Sequence, residues 1–305
     1  MRTFTPSAPF ARPSLPPSPI FHRYSTLGSA YKARARYIDR EEYTNLSDLD
    51  GDLATYAIAT ARGGSTAAKY FFANLTTDGK TPASAEARAI IEGVGGQPDI
   101  FGASYGLPAG SEGAGAYGNA RPFQTQPEFV RIVGRDYFGE PADNIVYNRG
   151  PMMDLTNNPS FPSGHTTYGY TGALLLAMMV PERYPELIVR AAEYGNHRVV
   201  VGAHYVMDVI AGRTLALYVM AHLLANDPVF VGQSYPNAPK ITDFRDMVFQ
   251  ARAKVRETLE RTCAAPIARC AREDLGRFND PALNEAFHAS TLDYGLPIVH
   301  KESAG

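Results

Sequence analysis

Phe161-Pro162-Ser163-Gly164-His165-Thr166-Thr167-Tyr168-Gly169-Tyr170-Thr171-Gly172-Ala173-Leu174-Leu175-Leu176-Ala177-Met178-Met179-Val180 is the stretch from which the rest of the chain is read. Pro162 bars helix before it, and Ser163 has the side chain to N-cap a helix that continues through Leu174, Leu175, Leu176, Met178 and Met179. The free amides of that first turn favour an anion. Gly164 lets an oxyanion approach the backbone, and His165 in the first turn can aim its imidazole at whatever sits there. The combination describes a phosphate seat with a proton donor beside it.

Further along the chain come Arg198, His204 and Asp208, spaced R-x5-H-x3-D. Gly202 marks the expected start of a second helix, apolar through Val206, Val209, Ile210, Leu215 and Leu217 toward Ala225. His204 and Asp208 are i and i+4, a spacing at which the carboxylate reaches the imidazole, fixes its tautomer and strengthens the free nitrogen as a nucleophile or ligand. A His and an Asp on so apolar a helix should be paired. Arg198 is expected to approach from the loop side, where a guanidinium binds two phosphate oxygens at once.

These residues resemble a known family: the type 2 phosphatidic acid phosphatases, the bacterial non-specific acid phosphatases and the vanadium-dependent haloperoxidases. Of its three-part signature, K-x6-R-P is matched at Arg121-Pro122 but has Ala114 where the lysine should be. P-S-G-H is matched in full from Pro162 to His165, and S-R-x5-H-x3-D is matched at Arg198, His204 and Asp208 with His197 in place of the serine. The resemblance covers residues 117–225.

The resemblance implies an all-α, single-domain helical bundle of the acid phosphatase and haloperoxidase type, hydrolysing phosphate monoesters without a metal or other cofactor. By the same resemblance His204 attacks phosphorus and becomes a phosphohistidine, Asp208 orients it, and His165 protonates the leaving alkoxide. Arg121, Arg198, Ser163 and the Gly164 amide hold the equatorial oxygens, where charge accumulates in the transition state. Two alternatives stand beside this reading. A vanadium haloperoxidase would use the same residues with vanadate as cofactor on His204, and a degenerate member would bind phosphorylated ligands without turnover. The family also implies a periplasmic or secreted location, with a cytoplasmic one as the alternative.

The missing lysine calls for a substitute. Arg149 is the preferred candidate, because its loop leads into the Ser163 turn; His197, Lys69 and Lys80 are the others. A zinc site from His165, His197, His204 and Asp208 is the main reading outside the family, and Arg121 and Arg198 argue against it because they would repel a cation.

The remainder is an ordinary globular composition. With 305 residues, 45% hydrophobic and 20% charged, the chain has material for one sizeable core or two smaller ones, and a net charge of −2 gives no electrostatic case for nucleic acid or an anionic membrane. A small phosphorylated substrate is the expected partner, and homo-oligomerisation is left open. No apolar run reaches the roughly 20 residues that span a bilayer, since Pro181 stops one and His222 interrupts another.

Residues 1–24 read as a proline-rich arm and residues 25–305 as the all-α domain. The arm is not a signal peptide, so either a signal was removed before this numbering begins or the protein stays inside. Residues 52–61, 66–75 and 84–91 read as helices divided by Gly63-Gly64 and by Asp78-Gly79-Lys80. The acidic run at residues 48–52 reads as helix capping, because its glycine is misplaced for a calcium loop.

Gly113 to Gly118 satisfies G-x-G-x-x-G, but no strand precedes it and Arg121-Pro122 follows, so it reads as a loop delivering Arg121. Residues 95–120 and 141–160 read as loops forming the rim of the site. Thr242 is the expected cap of an amphipathic helix carrying Phe244, Met247, Val248, Ala251, Val255 and Leu259. Cys263 and Cys270 fit a small disulfide loop or two buried thiols equally well.

Overall fold

A buried helix with almost no polar face must be surrounded, and here it is. In the computed structural model, which describes residues 47–93, 121–122, 132–135, 141–144, 158–200, 203–273 and 275–296, Gly164–Met179 (α3) has 13 of its 16 residues buried. It packs against Ser47–Asn74 (α1), Tyr184–Val200 (α4), Val206–Leu224 (α5) and Phe244–Cys263 (α6). Ala85–Gly93 (α2), the short Ile267–Cys270 (α7) and Pro281–Asp293 (α8) complete the described α-helices. The class is all-α. Among the described residues the strands form a single two-stranded antiparallel ribbon, Ile132–Arg135 paired with Pro141–Asn144, which corrects the loop reading at residues 141–144.

Leu53, Tyr56 and Ala57 of α1, Leu175, Leu176 and Met179 of α3, Val219 and Leu223 of α5, and Phe244, Val248 and Val255 of α6 form one apolar core. The core lies toward the C-terminal half of α3. Its N-terminal half is built from Thr166, Thr167, Gly169, Thr171 and Gly172 instead. Small residues there let neighbouring backbones come close: a Cβ on Gly169 would meet the Tyr194 ring of α4 at 2.5 Å, and one on Gly212 of α5 would meet the Ser163 carbonyl oxygen at 2.4 Å. The Ser163 amide donates to the Asp208 carbonyl at 2.9 Å. Close packing at one end of α3 thus brings the two halves of the signature together.

Several boundaries differ from the sequence reading. α1 runs unbroken through Gly63-Gly64. Two helical glycines cost about 1 kcal/mol each against alanine, and the burial of Leu53, Tyr56, Ala57, Ala61, Ser65, Lys69 and Ala73 along that helix outweighs them. α5 begins at Val206 with Tyr205 as its N-cap, so His204 precedes the helix. α6 is capped by Asp243, whose side chain accepts from the Asp246 amide, in place of Thr242. α4, which the sequence reading left undescribed, buries Leu187, Ala191, Tyr194 and Arg198 at helical spacing.

α5 is the one described helix long and apolar enough to cross a bilayer, against the reading that no run approaches that length, and its Gly212, Ala216, Val219 and Leu223 are buried in the bundle. Cys263 and Cys270 form a disulfide. The proline-rich arm, the glycine-rich residues 102–118, Gly202, Ala114 and Arg149 lie outside the described residues.

Candidate active site

Four side chains from three separate stretches converge on one imidazole. His204 is fully buried in the turn between α4 and α5, its backbone N–H donating to the Arg198 carbonyl at 3.1 Å. Its Nδ1 lies 3.3 Å from Asp208 Oδ2. Asp208, in the first turn of α5, also accepts at Oδ2 from the Tyr205 amide (2.9 Å) and from the Ser160 hydroxyl. The i, i+4 pairing is therefore made by a helix-capping carboxylate reaching back past the N-terminus, which leaves no room for helix at His204.

A carboxylate at Nδ1 fixes the proton there, so Nε2 carries the lone pair. Nε2 faces Arg121 Nη1 at 3.1 Å and His165 Nδ1 at 3.3 Å. Arg121 is held by four further bonds, to the Asn158 carbonyl and side-chain oxygen and to the Pro159 and Ala203 carbonyls. His165 stands in the first turn of α3. There Ser163 caps the helix, its Oγ accepting from the Thr166 amide at 3.2 Å. Arg198, in the last turn of α4, lies 4.6 Å over the Tyr194 ring and comes from a helix rather than a loop.

Burial governs the charges. Loss of water holds the His204 imidazole well below the usual histidine range, and Arg121, Lys69, His165 and Arg198 add to the effect. His165 is lowered likewise, by burial first and then by Arg198, Arg121 and Lys69. The Asp208 carboxyl moves the other way, pushed up to about 6 by burial against the opposing bonds from Ser160 and Tyr205. The 3.3 Å His–Asp contact is thus a hydrogen bond between a neutral imidazole and a carboxylate rather than an ion pair. Asp208 Oδ1 has no hydrogen-bond partner among the described residues, and it is where the carboxyl would take up a proton.

Of the described residues singled out by the motifs, His204, His165, Asp208 and Arg121 touch directly, Arg198 bears on both histidines, and Ser163 and Gly164 form the turn beneath His165. Lys80 is exposed on the turn after α1 and stands apart. Lys69 does not: its ammonium donates to the Pro159 carbonyl and, at 3.4 Å, to that of Ser160. Ser160, Asn158 and Tyr194 carry no motif signal. Ser160 lies just before the signature turn, and the other two are identified only by what they hold.

Residues 113–228 match the PAP2 superfamily. A non-specific acid phosphatase of Salmonella typhimurium is 48% identical over 100 residues, which is 31% of this chain and 40% of that protein. An acid phosphatase of Zymomonas mobilis is 44% identical over 75 residues, 25% of this chain and 28% of its own length. A lipid A 1-phosphatase of Rhizobium johnstonii is 35% identical over 82 residues, 27% and 34% of the two chains. The chain thus spans well under half the length of these curated relatives. The segment that holds the four convergent side chains thus matches the PAP2 superfamily and is similar to bacterial acid phosphatases.

Proposed function

We propose that this protein hydrolyses phosphate monoesters through a phosphohistidine on His204. The observation that carries the reading is the single nitrogen Nε2, stripped of its proton by the Nδ1–Asp208 bond and facing Arg121 and His165 within 3.3 Å. The Nε2 lone pair forms the N–P bond as the P–O bond to the alkoxide breaks. Arg121 and Arg198, with the Gly164 amide and the Ser163 turn, carry the charge on the equatorial oxygens. In this structure Arg121 Nη1 rests against Nε2, so a phosphoryl group entering there takes over that guanidinium N–H.

His165 supplies the proton to the alkoxide. Buried among cations, its imidazole is neutral in the protein alone; a phosphate dianion beside it reverses the sign of the local field and lets it take up a proton. Water then attacks phosphorus, His165 accepts its proton, and the N–P bond breaks to release inorganic phosphate. The Cys263–Cys270 disulfide supports a periplasmic or secreted setting. Small phosphorylated metabolites are the proposed substrates, with the segments flanking Arg121 and preceding Asn158 setting the choice among them.

The test is a chemical trap. Enzyme mixed with a radiolabelled aryl phosphate and quenched should carry an acid-labile, base-stable phosphoryl group, and His204→Ala should carry none. No label and no phosphate release, with halide oxidation by peroxide on addition of vanadate, would replace this reading by the haloperoxidase one. Phosphate binding with neither activity would leave a binder.

A further inference from the structure

The helix that contributes most to the site without belonging to the matched segment is α1. Two of its residues, one turn apart on the same face, are buried polar groups that the catalytic reading does not use. Lys69 is 5% exposed. Of the three N–H bonds of its ammonium, two point to the Pro159 and Ser160 carbonyls, and the third has no acceptor among the described residues. Ser65 is fully buried, and its Oγ has no hydrogen-bond partner among the described residues. It lies beside the anion turn, 3.2 Å from where a Cβ on Gly164 would stand.

An unpaired hydroxyl and an under-used ammonium, both sealed from water, are costly unless something completes them. Lys69 shares the Pro159 carbonyl with Arg121, so two cations meet on one oxygen. Arg121, Arg198 and Lys69 are all buried, and Asp208 is the carboxylate buried with them. Among the described residues, and counted with Lys69 protonated, three positive charges face one negative, an excess that matches a phosphate dianion. Burial and Arg121 hold the Lys69 ammonium well below the usual lysine range, with Asp208 opposing, which is the mark of a cation without its counter-ion.

Resting on the phosphatase reading above, we infer that Lys69 is the third cation of the phosphate pocket and that the Ser65 hydroxyl is a further donor to the same anion. α1 thereby supplies from outside residues 113–228 the positive charge that Ala114 does not provide. This replaces Arg149, which lies outside the described residues, as the preferred substitute.

The experiment measures inhibition by inorganic phosphate, together with kcat and KM for an aryl phosphate, in wild type, Lys69→Met, Lys69→Arg and Ser65→Ala. Lys69→Met should raise both the phosphate inhibition constant and KM by roughly 10- to 100-fold, the range of a charge-assisted hydrogen bond, and lower kcat less. Lys69→Arg should recover part of the affinity. Ser65→Ala should weaken phosphate about 5-fold with an unchanged melting temperature, since the hydroxyl it removes holds nothing in the protein.

A folded Lys69→Met with wild-type phosphate affinity overturns the inference, as does a loss confined to kcat, which would make Lys69 an anchor for Pro159 and Ser160 only. If Lys69→Met does not fold, Ser65→Ala decides, and wild-type affinity there overturns it. Wild type that binds phosphate but turns over no monoester refutes the hydrolytic reading instead, and the two variants still judge this one on binding.

Discussion

α5 carries a histidine–aspartate contact at each end, and the two behave oppositely. At its C-terminal end His222 Nδ1 sits 2.6 Å from Asp227 Oδ2, with side chains 31% and 25% exposed; at its N-terminal end His204 and Asp208 are 3.3 Å apart and fully buried. The Val229 amide and His222 hold the Asp227 carboxyl below the usual carboxylate range, whereas burial pushes Asp208 up to about 6. His222 is stacked on Phe230 at 4.7 Å between ring centres, an apolar platform, while His204 faces Arg121 and His165. The shorter contact belongs to the solvated pair, so distance alone does not identify an ionic bond. What distinguishes the His204 imidazole is loss of water among cations, which keeps its outer nitrogen unprotonated.

The sharpest way to break the comparison is to delete each histidine. His204→Ala should lower kcat by roughly 10^4-fold or more with the fold intact by circular dichroism, whereas His222→Ala should keep kcat within about 2-fold. Comparable losses in both would mean that α5 is needed whole and that His204 has no special part. Asp208→Asn keeps the shape but can present the wrong hydrogen-bonding partner to Nδ1. It should be slow rather than dead, with kcat down about 10^2- to 10^4-fold.

A smaller effect concerns pH. kcat/KM reports the free enzyme, and an imidazole lowered by burial, Arg121, Lys69, His165 and Arg198 stays neutral as the pH falls past the ordinary histidine value of 6.5. The acid limb of kcat/KM should therefore lie below pH 6.5, and Lys69→Met, which removes one of those charges, should move it toward neutrality. An acid limb at or above 6.5 in wild type would show that His204 is not screened from protons as its burial requires. The smallest expected effect is in Asp227→Asn. A partly exposed pair is screened by water and contributes little, so its melting temperature should shift by a few degrees at most and its kinetics should be those of wild type.

How much of this was legible in the chain depended on whether the cause was local. Ser163 caps α3 because its own side chain reaches an amide three residues on, and a cap of that kind is written in sequence. His204 and Asp208 pair at their expected spacing, but the start of α5 was misplaced because the carboxylate that pairs is also the one that ends the turn. The Gly63-Gly64 break was misread because the burial that holds α1 together comes from residues far away. Lys69 was one candidate among several for the same reason: the carbonyl that it meets is 90 residues distant, and only the packing of α1 against α3 brings them together. Arg198 was expected from a loop, since nothing in the R-x5-H-x3-D spacing reveals that Leu187, Ala191 and Tyr194 lead up to it along a helix.

The contact at Gly212 reaches further than its size suggests. With a backbone oxygen 2.4 Å from the place of a methyl group, α5 and the Ser163 turn meet there with no clearance, as two machined faces meet without a shim. Asp208 lies one turn earlier on α5, and His165 follows Ser163 by two residues. Inserting even one carbon at position 212 would pry the turn from the helix and widen the gap between His204 Nε2 and His165, though it touches neither. The tolerance of the whole site's geometry is therefore gauged by a residue with no functional group at all.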